Sequence, residues 1–237
     1  MANFITRNVP NTLTCGNLVS GCIAVGNAFW GLYDLAFLFI IIGAVFDFFD
    51  GMSARLLGVS SPIGKELDSL ADCVTFGVAP SAMVFTLLST LDLPSFLRPV
   101  GAFVPYWAFI MAAFSALRLA KFNLDERQTT SFIGLPTPAN ALFWASLIVG
   151  AESFIANLPL AAPVVMAMVA VSSWLLVAEL PMFSLKFKHW GWKGNEVRYS
   201  FLIVCAALLA ALRLTGFAAI VALYVAYAVC GHCFRKK

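Results

Sequence analysis

Residues 35–57 read LAFLFIIIGAVFDFFDGMSARLL, an apolar stretch that is long enough to cross a bilayer as one helix. Similar stretches recur along the chain, and we predict eight spans. The last two are short and are separated only at Gly216, so a count of seven stays open. Long apolar blocks differ from the weak alternation of an outer-membrane barrel, and they predict an all-α membrane fold. The predicted ranges are 12–31, 35–57, 67–90, 100–122, 138–157, 160–183, 199–214 and 216–234.

The overall composition also indicates a membrane protein. The 237 residues are 61% hydrophobic and 11% charged, and the mean hydropathy is +0.90. Soluble domains carry about 25% charged residues. These values exclude a soluble globular domain, a disordered chain and a nucleic-acid binder with a basic face. We therefore predict one integral membrane domain over residues 1–237, a bundle of about eight transmembrane helices.

The positive charges predict how this bundle is oriented. With the N-terminus in the cytoplasm, all but two of the 15 Lys and Arg residues fall on the cytoplasmic side, the two being Arg98 and Arg213. This asymmetry is the one that the positive-inside rule describes. It predicts that both termini are cytoplasmic. We see no cleavable signal peptide and expect the first apolar segment to be a retained span, in a protein of a bacterial inner membrane.

Four aspartates lie at one edge of the predicted spans. Asp47 and Asp50 are three residues apart, and Asp68 and Asp72 are four apart, so each pair shares one face of a helix. The stretch between the pairs is long enough to turn the chain and set the second helix against the first. All four carboxylates could then converge near the cytoplasmic membrane surface. Their mutual repulsion predicts divalent cations that prefer oxygen ligands, either Mg²⁺ or Mn²⁺.

Small residues beside the carboxylates predict a nucleotide site. Gly51, Ala54 and Gly64 carry little side-chain bulk, so a flat base and a ribose could lie close to the backbone. Arg55 offers a fork of donors that suits a phosphate. Lys65 either reaches a diphosphate or only flanks the membrane.

Together these residues form the pattern D-x-x-D-G-x-x-A-R-x(8)-G-x-x-x-D-x-x-x-D over residues 47–72. Any one of them alone could be a helix cap or a packing residue. The whole pattern resembles the CDP-alcohol phosphotransferase family. Residues 64–80, 115–123 and 132–138 are similar to its phosphatidylserine synthase branch, and Pro10-Asn11-x-x-Thr14 is similar to the family's opening. One departure is Lys121, where we would expect Arg.

The resemblance implies an activity. An enzyme of this branch would transfer the phosphatidyl group of CDP-diacylglycerol to the hydroxyl of L-serine, giving phosphatidylserine and CMP. The family's metal and base roles would fall on the four aspartates, and its nucleotide contacts on Gly51, Ala54 and Arg55. The resemblance also implies a homodimer.

The chemistry of such a transfer suggests further roles. Two metal ions about 3.5–4 Å apart would bridge the diphosphate and stabilise charge on the leaving phosphate. The serine hydroxyl needs a base, and Asp72, at the far end of the carboxylate row, is our candidate. We predict direct in-line attack without a phosphatidyl-enzyme, because neither His189 nor His232 has a phospholipase-type setting.

The acceptor site calls for groups that bind a carboxylate. Arg118 and Lys121 are three residues apart at the end of the fourth predicted span. Our hypothesis is that Arg118 holds the serine carboxylate, although both residues could simply be a positive flank. Gly134, Pro136 and Pro138 either shape the loop near the acceptor or form a rigid turn.

Two alternative functions stay open. Another enzyme of the same family would use glycerol phosphate, inositol phosphate or choline as its acceptor. A cation-coupled transporter would also place carboxylates within a membrane. Transport sites usually lie near the midplane, often within an inverted repeat, and we see no repeat in this sequence.

Overall fold

Helices make up nearly all of the structure. The computed structural model describes residues 4–59, 61–124, 132–182, 191 and 195–235. Two strands, β1 (Phe132–Ile133) and β2 (Pro181–Met182), pair antiparallel. The helices are α1 (Phe4–Phe29), α2 (Tyr33–Leu57), α3 (Pro62–Asp72), a π-helix (Cys73–Val78), α4 (Ala79–Thr90), a 3₁₀-helix (Arg98–Ala108), α5 (Phe109–Leu124), α6 (Thr137–Ala156), α7 (Ala161–Val177), α8 (Glu196–Leu212), a short 3₁₀-helix (Arg213–Thr215) and α9 (Gly216–Arg235).

Five helical stretches of the described chain are long and apolar enough to cross a membrane. A sixth apolar helix, α7, has 17 residues and falls short of that length. The predicted helical membrane fold is therefore confirmed, whereas the count of about eight spans stays a prediction. The five stretches are Tyr33–Leu57, Pro62–Thr90, Arg98–Leu124, Thr137–Ala156 and Arg198–Gly231.

One face of the α1 helix is polar and buried. Thr14, Asn17 and Ser20 follow one another at intervals of three residues, and all three are buried. Residues at this spacing lie on the same side of a helix. Burying this stripe against protein explains why α1 forms a long helix although it is less apolar than a typical span.

Close packing among α1, α2 and the π-helix depends on two glycines. A Cβ atom at Gly21 would lie 2.9 Å from the Cα of Thr75, and one at Gly43 would lie 2.9 Å from Oδ1 of Asn17. Thr75, in the π-helix, donates a hydrogen bond from Oγ1 to the carbonyl oxygen of Asn17 at 3.0 Å. These contacts draw α1, α2 and the π-helix together and thereby position α3, which precedes the π-helix.

The turn before α6 packs against the end of α7. Gly134 has φ +76°, and a Cβ atom there would lie 2.7 Å from the carbonyl oxygen of Leu176. Its N–H donates to the carbonyl of Leu180 at 2.9 Å. Gly134 therefore has a structural reason to be glycine, which supports the rigid-turn interpretation of this segment.

Several basic residues behind the predicted orientation lie outside the described residues. The same is true of His189. Those basic residues are Arg127, Lys186, Lys188, Lys193, Lys236 and Lys237.

Candidate active site

Three carboxylates meet where α2 and α3 come together. Asp47 and Asp50 lie in the C-terminal half of α2, and Asp68 lies on α3. Their carboxylate oxygens all lie within 4.8 Å of one another. Oδ1 of Asp68 is buried, and no described residue offers it a hydrogen bond. Oxygen atoms grouped in this way are the ligands that hard divalent cations prefer, so this carboxylate cluster could bind a metal.

Asp72 lies beside the cluster and has a different partner. Its side chain is 9% exposed, and its Oδ1 accepts a hydrogen bond from Nδ2 of Asn17 at 3.1 Å. Asp72 lies one turn after Asp68 on the same face of α3, so the four aspartates face one region. Asp72 also ends α3 and directly precedes the π-helix, a distortion that is frequent at functional sites.

The α1 helix holds two of the four aspartates. Oγ1 of Thr14 lies 2.6 Å from Oδ2 of Asp50, and Asn17 donates to Asp72 as described above. Sequence reasoning noted Thr14 only as part of the family's opening and missed Asn17. The regular three-residue spacing of Asn11, Thr14 and Asn17 in an apolar helix is the signal that could have found it.

A cavity of about 340 Å³ opens beside the carboxylate cluster. Asp50 and Asp68 form part of its wall. Four of the five predicted nucleotide residues also line it, whereas the fifth, Arg55, is exposed and does not. We call this space the carboxylate cavity. The lining residues are Pro10, Asn11, Thr14, Asp50, Gly51, Ala54, Val59, Ser61, Gly64, Lys65 and Asp68.

The two glycines that line the carboxylate cavity differ in their surroundings. A Cβ atom at Gly64 would lie 3.0 Å from Oδ1 of Asn11 and from Oγ of Ser61, whereas one at Gly51 would meet no atom within 4 Å. Close packing therefore explains why position 64 needs a glycine, but it does not explain the glycine at position 51. A glycine inside a helix costs roughly 1 kcal/mol relative to alanine, so Gly51 favours a ligand that needs the open space.

We expect Gly51→Ala to make the protein more stable and a poorer nucleotide binder. Alanine should add roughly 1 kcal/mol to the free energy of unfolding. The added methyl group would enter the open space in which we predict the nucleotide to lie, and overpacking of about 1.4 kcal/mol corresponds to about tenfold weaker CMP binding. Thermal unfolding and CMP titration calorimetry measure the two effects.

The matched control for this prediction is Gly26→Ala. Gly26 is also a helical glycine at which a Cβ atom would meet nothing within 4 Å, but it lies on α1 and does not line the carboxylate cavity. It should show the gain in stability without loss of CMP affinity. Equal affinities in the two variants would remove the nucleotide role of Gly51.

Lys65 connects two helices. Its Nζ donates to the carbonyl oxygen of Asn123 at 2.9 Å, and Nδ2 of Asn123 donates to Oγ of Ser69 at 2.8 Å. These bonds tie α3 to the last turn of α5. Lys65 also lines the carboxylate cavity. Its ammonium group can therefore contact either the end of α5 or a diphosphate.

The two basic residues predicted for the acceptor occupy different environments. Arg118 is only 8% exposed, and its Nη1 donates to Oγ1 of Thr137 at 3.3 Å. Its guanidinium carbon lies 5.4 Å from the ring centroid of Phe122. Lys121 is exposed. Arg118 therefore lies inside the protein and contacts the start of α6, whereas Lys121 has the exposure of a flanking charge.

Comparison with known protein families agrees with the site that this geometry describes. The family model described as CDP-alcohol phosphatidyltransferase matches residues 7–185. The chain belongs to this family. The match spans the whole carboxylate cluster and the α5 and α6 segments, and it confirms the resemblance inferred from residues 47–72. A transporter receives no support from it.

Several curated relatives within the family share the name CDP-diacylglycerol–serine O-phosphatidyltransferase. The protein of Bacillus subtilis (strain 168) is 40% identical over 131 residues, which are 55% of this chain and 69% of that protein. That of Mycobacterium leprae (strain TN) is 32% identical over 184 residues, covering 73% and 57%. That of Methanocaldococcus jannaschii is 31% identical over 195 residues, covering 75% and 87%.

Proposed function

We propose that this chain is a membrane enzyme that transfers the phosphatidyl group of CDP-diacylglycerol to the hydroxyl of L-serine, giving phosphatidylserine and CMP. The observation that carries the proposal is the group of three carboxylates beside a cavity with an unpacked helical glycine. Such a site suits a ligand with a diphosphate and a flat base. The shared name of the relatives supports serine as the acceptor.

The carboxylate cluster fits a divalent cation. All of its donors are oxygens, and one buried oxygen of Asp68 has no partner among the described residues. Asp47, Asp50 and Asp68 would hold the ion. When bound, it supplies positive charge against the diphosphate. Mg²⁺ or Mn²⁺ as the metal, two ions rather than one, and Asp72 as a further ligand are parts of the proposal.

Asp72 is the proposed general base. The amide of Asn17 holds its Oδ1 and leaves Oδ2 to take the proton of the serine hydroxyl. The serine oxygen forms a bond to the phosphatidyl phosphorus, and the bond from that phosphorus to the CMP oxygen breaks. The attack is direct and in line, so no covalent phosphatidyl-enzyme forms.

Arg118 is the proposed partner of the serine carboxylate. Its buried position makes a charge-assisted hydrogen bond stronger than one at the surface. Its place on the face of α5 that packs against the π-helix, which begins directly after Asp72, supports a site for the acceptor between the carboxylate-binding group and the base.

We expect Arg118→Gln to raise the KM for serine about 10–100-fold, because a hydrogen bond to a charged group contributes about 1.5–3 kcal/mol. The KM for CDP-diacylglycerol should stay close to that of the unmodified enzyme. Lys121→Gln removes the same charge from an exposed position, where a pair contributes about 1 kcal/mol or less, and should change neither constant greatly. An unchanged serine KM in Arg118→Gln would refute this role.

The membrane arrangement is also part of the proposal. The distribution of basic residues supports cytoplasmic termini and an active site at the cytoplasmic surface. A bacterial inner membrane as the location is part of the proposal as well. The apolar segments support about eight spans in a single domain over residues 1–237. A homodimer is implied by the family resemblance alone.

Release of CMP by the purified protein tests the function. The protein, in detergent with CDP-diacylglycerol, is given L-serine, glycerol 3-phosphate, inositol phosphate, choline or no acceptor, each with Mg²⁺, Mn²⁺ or EDTA. We expect release that needs both serine and a metal. Release with another acceptor would reassign the enzyme within its family. No release by folded protein with any acceptor would overturn the proposal.

A further inference from the structure

A second cavity, of about 510 Å³, lies among α6, α7 and α9. Its walls are almost entirely apolar, with Phe143 on α6, Met168 and Leu175 on α7, and Val221 and Val225 on α9. It shares no lining residue with the carboxylate cavity. The α9 helix also lies wholly outside residues 7–185, the part that the family model matches. We call this space the α7–α9 groove.

The groove opens sideways from the helices. Val164 and Val171 on α7 are 44% and 57% exposed, and Ala222 and Ala226 on α9 are exposed too. These rim residues belong to apolar helices, and α9 lies largely within a candidate span. The opening therefore faces hydrocarbon when the protein is in a membrane.

One polar side chain at the base of the groove has no partner. Asn140 is fully buried and lines the groove, and neither its Nδ2 nor its Oδ1 has a hydrogen-bond partner among the described residues. The other polar group there, Ser172, already accepts a hydrogen bond from Nε1 of Trp144 at 3.0 Å. Leaving a buried amide unpaired is costly, so Asn140 points to a ligand with a polar group at this position.

The groove is long and has its polar group near one end. Asn140 lies in the first turn of α6 and lines the groove together with Leu175, near the end of α7, whereas Val164 lies in the first turn of α7. The eleven residue steps from Val164 to Leu175 span roughly 16 Å at 1.5 Å per residue. The ligand that fits is a long apolar chain with a hydrogen-bond acceptor towards one end.

We propose that the α7–α9 groove binds one acyl chain of a bilayer phospholipid, with an ester carbonyl of that lipid accepting a hydrogen bond from Nδ2 of Asn140. A helix from a second copy is a poorer match, because its backbone carbonyl oxygens are bonded within the helix and would leave Nδ2 of Asn140 without an acceptor. The CDP-linked donor is a poorer fit, because its nucleotide belongs in the separate carboxylate cavity. The inference therefore stands apart from the proposed reaction.

Photo-crosslinking in lipid nanodiscs tests the proposal. The discs contain phosphatidylcholine that carries a photoactivatable diazirine in one acyl chain, and mass spectrometry locates the labelled peptides. We expect labels on α7 and α9. Filling the groove with Ala222→Trp, or with Ala226→Trp should the first variant unfold, is expected to lower this labelling about tenfold, equivalent to 1.4 kcal/mol of binding.

Two further variants distinguish a loss of lipid binding in the groove from a general effect of the substitution on labelling. Ala207→Trp makes the same change at an exposed position of α8 that does not line the groove, and its labelling should stay unchanged. Asn140→Leu removes the donor to the ester while keeping the site apolar, and its labelling should fall by several-fold.

Three results would overturn the proposal. The first is labelling that persists in both groove-filling variants. The second is displacement of the label by CDP-diacylglycerol, which would assign the groove to the donor. The third is a change from dimer to monomer in Ala222→Trp, measured by light scattering, with labelling unchanged, which would assign the groove to a second copy.

Discussion

Asp68→Asn is expected to lower CMP release by about 10²–10³-fold, the loss found when one group that stabilises developing charge is removed. The amide is neutral and replaces one of the three clustered carboxylates. The same change should raise the melting temperature in EDTA, because it relieves repulsion within 4.8 Å. It should also remove most of the stabilisation that added Mn²⁺ provides, since only binding to the folded state stabilises it.

Glu66→Gln is the matched control for Asp68→Asn. Glu66 lies on the same helix, α3, two residues away, and is exposed. It loses the same charge but offers no oxygen to the described cluster. We expect near-normal activity and a normal Mn²⁺ shift in melting temperature. An intact Mn²⁺ shift in Asp68→Asn would exclude Asp68 as a metal ligand.

Asp72→Asn is expected to lower kcat by about 10²–10⁴-fold, the range for loss of a general base. The three clustered carboxylates remain and only the fourth proposed ligand is lost, so Mn²⁺ should still raise the melting temperature, although by less than in the unmodified protein. The amide of the variant can also still pair with Asn17, whose Oδ1 has no partner among the described residues, and the fold should persist. Rates of CMP release at saturating substrate, together with melting curves, separate the two effects.

Asn17→Ala provides the comparison for Asp72→Asn. It keeps the Asp72 carboxylate but removes the donor that holds it, so a smaller loss in kcat is expected, of about tenfold for one hydrogen bond near 1.4 kcal/mol. Complete loss of the Mn²⁺ effect in Asp72→Asn would show that Asp72 is needed by the metal site itself. An unchanged kcat in Asp72→Asn would exclude Asp72 as the base.

Some of the site was predictable because helix geometry is local. Residues three or four apart share a face, so the spacing of Asp47 to Asp50 and of Asp68 to Asp72 was enough to predict two converging pairs. Which carboxylates come closest was not predictable, because the distance between two helices depends on packing elsewhere. Gly21, or any glycine that lets α1 approach its neighbours, is not marked as such by the motif.

Residues that look equivalent in the sequence differ in how deeply the fold buries them. Arg118 and Lys121 share a charge and a helix face, yet only Arg118 turns into the protein and contacts Thr137. Lys65 was expected to reach a diphosphate or to flank the membrane. The structure adds a hydrogen bond to the end of α5 and a place in the wall of the cavity, and the contact with a diphosphate stays a prediction. Such choices depend on neighbours that are distant in the chain.

The sequence by itself determined the membrane class, the helical fold and the family. Apolar runs long enough to span a membrane and the carboxylate pattern over residues 47–72 are properties of the local sequence. They can be recognised without knowing how the helices pack. Tertiary structure alone decided that Asn17 holds Asp72, that Gly51 faces open space and that Asn140 lies in a lateral groove with no partner in the described part of the chain. Each of these follows from contacts between segments far apart in the chain, which no spacing within one helix encodes.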